Sequence, residues 1–292
     1  MKILLAIDGS AAAQYAAEFF CRLPHQESLE IEVLSVINTP DVHMSTSSRA
    51  WLDEYLNNLN TAADEAFAKV QRCFEGSAAK LVHFKASGHV GQRIVDRAAE
   101  IGAQLVVLGA RGHSTVSRLL LGSVSDYVGR HASCSVITVR PPEDETPPPE
   151  TLRVTLCYDG STPSQRILEH LSEFSWRGHV DIELLSIVQI FPEFPAEGID
   201  LMREQIEQEC AQTQQRTEEV AKQLSSQQHL RVHARVLAAE HVGEGIVHAA
   251  NDFRSQLILI GNTGRSLIPR LLLGSVSSYV LRHAKQSVWV VR

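Results

Sequence analysis

Glycine and serine recur in this chain at a spacing suited to holding an anion. Gly109, Gly112, Gly122 and Ser123 fit G-x₂-G-x₉-G-[ST], and Gly261, Gly264, Gly274 and Ser275 fit it again in the second half. Arg118 to Arg140 reads RLLLGSVSDYVGRHASCSVITVR, and Arg270 to Arg292 reads RLLLGSVSSYVLRHAKQSVWVVR, so the flanks repeat as well. Each copy lies between an apolar run with strand character and an amphipathic run with helix character. Backbone N–H groups at such a crossing, aided by the partial positive charge of the helix start, can wrap a phosphate. Gly109 and Gly112 permit a sharp turn and close backbone approach. Gly122 removes a side chain where the next helix arrives, and Ser123 and Ser125 add hydroxyls; Ser275 and Ser277 do so in the second copy. A branched side chain at Gly122 or Gly274 is expected to fill the phosphate position.

The elements that must position these loops repeat in order. In the first half, strands are expected at Lys2–Ile7, Glu30–Ile37, Leu81–Ala86, Leu105–Leu108 and Ser135–Val139. Helices fall between them, the last over Leu119–Arg130. Trp51, Tyr55, Leu59, Phe67, Val70 and Phe74 stand at helical spacing in the longest one. The second half follows suit, with its last helix over Leu271–Arg282. Between them Pro141 to Glu150 reads PPEDETPPPE, which supports neither a helix nor a central strand and reads as a stiff linker. The domains are therefore 1–140 and 151–292, joined by 141–150. Alternating strands and helices give an α/β fold: two tandem doubly wound domains, each a five-stranded mostly parallel sheet with helices on both faces. Ligands of such sheets bind beyond the carboxyl ends of the strands, where strand order reverses. If the first and fourth strands are neighbours there, the Asp8-Gly9-Ser10 turn and the glycine loop face one crevice. Asp159-Gly160-Ser161 repeats the turn. Its aspartates suit three uses: accepting from a ribose hydroxyl or a base, holding a divalent ion that bridges phosphates, or capping a helix.

Composition narrows the function. With 292 residues, 44% apolar and 21% charged, the chain can bury two ordinary cores. A net charge of −7 argues against nucleic acid and anionic membranes as partners. No apolar stretch is long enough for a membrane span, and Asp8 interrupts what could pass for a leader sequence. The 5 cysteines are scattered without metal spacing, which suits inert thiols in a reducing, cytoplasmic setting. His131 and His283, each after an arginine near a helix end, read as cations favoured at a helix C-terminus. G-x₄-G-K-[ST] and G-x-S-x-G are absent, and no G-x-G-x-x-G follows the first strand. Nothing beside the glycine loops supplies the lysine, magnesium carboxylates and base of a fast phosphoryl-transfer enzyme.

The Asp-Gly-Ser turn, the glycine signature and the final V-x-V-x-R strand resemble the universal stress protein family over nearly the whole chain, as a tandem member. The resemblance implies ATP binding, with Mg²⁺ or Mn²⁺ bridging its phosphates, in a stress-response or energy-state responsive regulator. It places adenine by Ala6, Ile7, Asp8 and Val36, and by Cys157, Tyr158, Asp159 and Ile187. The phosphate side would be Gly109, Arg111, Gly112, Gly122, Ser123, Val124 and Ser125, with Gly261, Thr263, Gly264, Gly274, Ser275, Val276 and Ser277 as counterparts. Two features depart from the family: Gln104 and Gln256 stand where an aspartate is common, and Arg111 and His113 in one loop face Thr263 and Arg265 in the other. Two other readings stay open. One is a slow ATPase or autophosphorylating protein using Ser123, Ser125, Ser275 or Ser277; the other is a scaffold for another small ligand or none.

Single-domain relatives pair their last strands between chains, which implies an intrachain pseudo-dimer of the two halves here, with a homodimer open to the remaining surfaces. Ser135–Val139 and Ser287–Val291 are apolar enough to disfavour an exposed sheet edge, and ten extended residues reach roughly 30 Å. Residues 1–140 and 151–292, expressed separately, are expected to dimerise with themselves or each other, and proline at Val136 or Val288 to weaken this. Halves that stay monomeric at high concentration in sedimentation experiments would refute the pairing.

Overall fold

The computed structural model describes residues 1–23, 29–37, 49–112, 121–142, 151–173, 180–191, 199–226, 230–264 and 273–292. Most of the expected linker, with His113, Arg265 and the helix starts expected at Leu119 and Leu271, lies outside them. The chain divides into two compact units between Pro141 and Pro142.

In the first unit the order is β1 (Lys2–Ile7), α1 (Ala11–Arg22), β2 (Glu30–Ile37), α2 (Arg49–Cys73), β3 (Lys80–Ser87), α3 (Val90–Glu100), β4 (Leu105–Gly109), α4 (Ser123–His131) and β5 (Ser135–Val139). The strands lie in the order β3-β2-β1-β4-β5, all parallel. β1 therefore has β2 on one side and β4 on the other. Its residues Ile3 to Ile7 are buried on both faces, as a central parallel strand requires. α1 and α2 cover one face, α3 and α4 the other. Leu4, Leu34, Val106 and Val136 form the floor beneath Ile94, Ala98 and Val128.

The second unit repeats this with β6 (Leu152–Cys157), α5 (Thr162–Glu173), β7 (Val180–Gln189), α6 (Ile199–Ser225), β8 (Leu230–Ala239), α7 (Val242–Asp252), β9 (Leu257–Gly261), α8 (Ser275–His283) and β10 (Ser287–Val291). Its order is β8-β7-β6-β9-β10, again parallel.

Gln104 and Gln256 have a structural task. The Gln104 N–H donates to the Lys2 carbonyl, and its side-chain Oε1 accepts from the Lys2 N–H at 3.0 Å. Gln256 grips Arg153 in the same way, with Oε1 accepting at 2.7 Å. A neutral amide at this position lengthens the ladder between the first and fourth strands just before they pair. The last helices begin later than periodicity suggests. Gly122 and Gly274 are extended (ψ 150° and 158°) and act as N-caps, so α4 and α8 start at Ser123 and Ser275.

Leu4→Ala removes a fully buried side chain from a strand with no solvent face. It is expected to cost about 2–5 kcal/mol in urea unfolding. Val82→Ala on the outermost strand of the first unit, 62% exposed, should change stability by less than about 0.5 kcal/mol.

Candidate functional site

β1 and β4 run side by side and diverge at their carboxyl ends, which brings the Asp8 turn and the glycine loop together. There a cavity of about 280 Å³ is lined by all eleven first-half positions singled out from the sequence: Ala6, Ile7, Asp8, Val36, Gly109, Arg111, Gly112, Gly122, Ser123, Val124 and Ser125. The second unit has a cavity of about 520 Å³ at the equivalent place. Its lining includes Cys157, Tyr158, Asp159, Ile187, Gly261, Thr263, Gly264, Gly274, Ser275, Val276 and Ser277.

The turn after β1 is organised by its own side chains. Gly9 takes φ +79°, which suits glycine. Asp8 Oδ1 accepts from the Ser10 N–H at 2.9 Å, and Ser10, not Asp8, is the N-cap of α1, with Oγ accepting from Ala13 N–H. Asp8 Oδ2 lies against Gly112, where a Cβ would collide with it. The second turn is built alike: Asp159 Oδ1 accepts from Ser161 N–H at 2.9 Å, and Asp159 Oδ2 faces Gly264. The carboxylate is thus aimed across the crevice at the glycine loop. Capping of α1 falls to Ser10 rather than to Asp8.

The glycine loop is fastened to the end of β4. The Gly122 N–H donates to the Ala110 carbonyl at 2.8 Å, and the Ser125 hydroxyl donates to the same oxygen at 2.7 Å. A Cβ at Gly122 would stand 3.0 Å from that oxygen and 3.3 Å from Ser125 Oγ. A side chain at this position therefore presses on backbone as well as standing at the wall of the cavity that Gly122 lines. Ser125 lines the cavity too, with its buried hydroxyl proton given to the loop. Ser277 donates to the Gly261 carbonyl at 2.6 Å. Ser123 and Ser275 remain exposed.

Helix starts differ in what satisfies them. Ser10 caps α1 with its hydroxyl and His89 caps α3 through its ring, whereas Gly122 and Gly274 give α4 and α8 no side-chain cap bond, nor does His241 give one to α7. The first turns of α4 and α8 line the cavities. Such a terminus presents backbone donors and a positive dipole end to whatever occupies the space. Arg111 adds a cation to the first cavity. The guanidinium of Arg140, buried at the end of β5, is pushed down to about 10 by burial and then by the charge of Arg111. In the second cavity Thr263 replaces Arg111. Cys157 lies at its floor, where burial, then Asp159 and Glu183, push its thiol far up, so it stays neutral.

Some lining residues escaped the sequence reading. Val90 and Ile94 of α3, and Val242 and Ile246 of α7, supply apolar wall. The available signal was His-Val-Gly, present at both 89–91 and 241–243. Its glycines let α3 and α7 approach Tyr127 and Tyr279 closely. His131 and His283 stack on those tyrosines at 4.1 and 4.0 Å, with Nδ1 2.8 Å from the carbonyl one turn back. This fits a helix-end role. Among the described residues no cluster of metal-ligating side chains occurs, and no helix is long and apolar enough to cross a membrane.

The model of the universal stress protein family matches residues 1–140 and again 151–292. The chain belongs to the universal stress protein family. A universal stress protein of Mycolicibacterium smegmatis is 29% identical over 302 residues, spanning 99% of this chain and 96% of its own length. One from Mycobacterium tuberculosis is 31% identical over 199 residues, covering 65% of this chain and 62% of the relative. Among solved structures, a universal stress protein from Archaeoglobus fulgidus shares the fold over 100% of this chain and 96% of its own. Its TM-score is 0.60 at 21% identity.

Ser125→Ala tests the loop anchor. The Ala110 carbonyl keeps its bond from Gly122 N–H, so the expected cost in thermal or urea unfolding is about 1 kcal/mol rather than the larger penalty of an orphaned group. Gly122→Val should cost more, because the valine presses on backbone that cannot move aside.

Proposed function

We propose that each half binds ATP in the cavity at its switch point, and that the protein acts as a stress or energy-state responsive regulator with slow or no hydrolysis. The observation that carries this reading is the pair of uncapped helix starts, α4 and α8, opening into cavities whose opposite walls present Asp8 and Asp159. Phosphate oxygens would accept from the first-turn N–H groups, and in the first half from Arg111. The apolar wall of Val36, Val90 and Ile94, and of Ile187, Val242 and Ile246, suits a flat base. The Asp8 carboxylate in the first cavity, and Asp159 with Glu209 in the second, fit a Mg²⁺ or Mn²⁺ ion, which takes its remaining ligands from phosphates and water. When bound, the ion would neutralise phosphate charge beside Asp8 or Asp159. Family membership supports the same reading.

The hydroxyls of Ser125 and Ser277 are buried and donate to backbone. This leaves Ser123 and Ser275 as the acceptors that an autophosphorylating protein would use. Among the described residues, no lysine lines either cavity.

Calorimetric titration with ATP and Mg²⁺ is expected to show two sites per chain. Gly122→Val should remove one, Gly274→Val the other, and Arg111→Ala should weaken the first alone. Steady-state phosphate release should fall far below the roughly 1–100 s⁻¹ of kinases. Unchanged stoichiometry and affinity in the double glycine variant would overturn the proposal.

A further inference from the structure

Away from the cavities, the first unit holds a pair of thiols distant in sequence and adjacent in space. Cys21 is in the last turn of α1, and Cys73 is the final residue of α2. The Cys21 thiol donates to the Cys73 carbonyl at 2.7 Å, so its sulfur touches the backbone that carries the second thiol. The neighbouring Phe20 and Phe74 rings pack 6.4 Å apart and hold the two helix ends together. The two cysteines also have different surroundings. Gln14, two turns before Cys21 on α1, donates from Nε2 to Cys73 Sγ at 3.4 Å. The Cys73 thiol itself donates to the Lys69 carbonyl at 3.4 Å, and the Gln14 donor aimed at its sulfur favours the thiolate once that proton leaves, which makes Cys73 the attacking thiol and Cys21 the thiol placed to answer it. Both are partly exposed.

We propose that Cys21 and Cys73 form a redox-active pair that a peroxide closes into an intramolecular disulfide joining α1 to α2. The Cys73 thiolate attacks the peroxide O–O bond, giving a sulfenic acid at Cys73 and releasing hydroxide. The Cys21 thiolate then attacks the Cys73 sulfur, the S–S bond forms, and a second hydroxide leaves. The two sulfurs together give up two electrons, the peroxide is reduced, and the two thiol protons leave with the oxygens as two waters. The pair stands apart from the nucleotide reading and does not depend on it.

Burial holds both thiols above the ordinary cysteine range. Around Cys21, Cys73 adds to this and Arg22 opposes it; around Cys73, Glu18 adds, and Gln14, Arg22 and Arg72 oppose. Closure should therefore accelerate with pH beyond the point where an ordinary cysteine reaches its plateau.

The test is peptide mapping of the full-length wild-type chain treated with hydrogen peroxide. A cross-linked pair of peptides carrying Cys21 and Cys73, lighter by two hydrogens and restored by dithiothreitol, is expected. In Cys21→Ser, dimedone should trap sulfenic acid on Cys73 several-fold more than in wild type, while Cys73→Ser should leave Cys21 unmodified at the same dose. Disulfides that join either residue to Cys134, Cys157 or Cys210 instead, or equal dimedone labelling of Cys73 in wild type and Cys21→Ser, would overturn the proposal. The wild-type map decides the matter even if a variant fails to fold.

Discussion

A helix start without a side-chain cap is the constraint around which each unit is arranged. Backbone donors in the first turn of α4 have no intrahelical acceptor, and Gly122 offers no side chain to supply one. The residue instead commits its own N–H to Ala110, and the Ser125 hydroxyl reaches the same carbonyl. The helix start is thereby pinned to the end of β4 while its first turn lines the cavity. Because β1 is the immediate neighbour of β4, the opposite wall is supplied by the Asp8 turn. Moving any of these elements by a residue would separate the donors from the carboxylate.

The two halves share this frame and differ in its charge and floor. The first cavity has Arg111, close enough to burden the buried Arg140. The second has Thr263, a neutral buried Cys157 and Tyr158 in place of Ile7. Glu209 of α6 also lines it, adding a second carboxylate beside Asp159. Among the described residues, the first cavity therefore has a cation that the second lacks, and the second a carboxylate that the first lacks. The thiol pair adds a further asymmetry, since it occurs in the first unit.

The same geometry bears on the proposal of binding with slow or no hydrolysis. The polar groups nearest the glycine loops are spent on holding those loops: Ser125 and Ser277 on carbonyls, Asp8 and Asp159 partly on their own turns. A site whose hydroxyls and carboxylates are bound into backbone is rigid and complementary to an anion.

The repeat, the strand–helix alternation and the glycine spacing were legible in the chain itself. They are local properties, set by the period of side-chain burial and by where a backbone must turn. They sufficed to gather every candidate site residue into one cavity per half. Even Gln104 and Gln256 stood out, although their reason, a two-bond grip on the start of the first strand, did not. Tertiary structure alone decided that Ser125 anchors a carbonyl, that Gly122 sits tight against the Ala110 carbonyl, and that Val90 and Ile94 wall the cavity. It alone placed Cys21 beside Cys73. Each of these depends on which atoms from distant segments come into contact when helices pack on the sheet. Sequence spacing fixes the direction of a side chain relative to its own element, but packing fixes what that side chain meets.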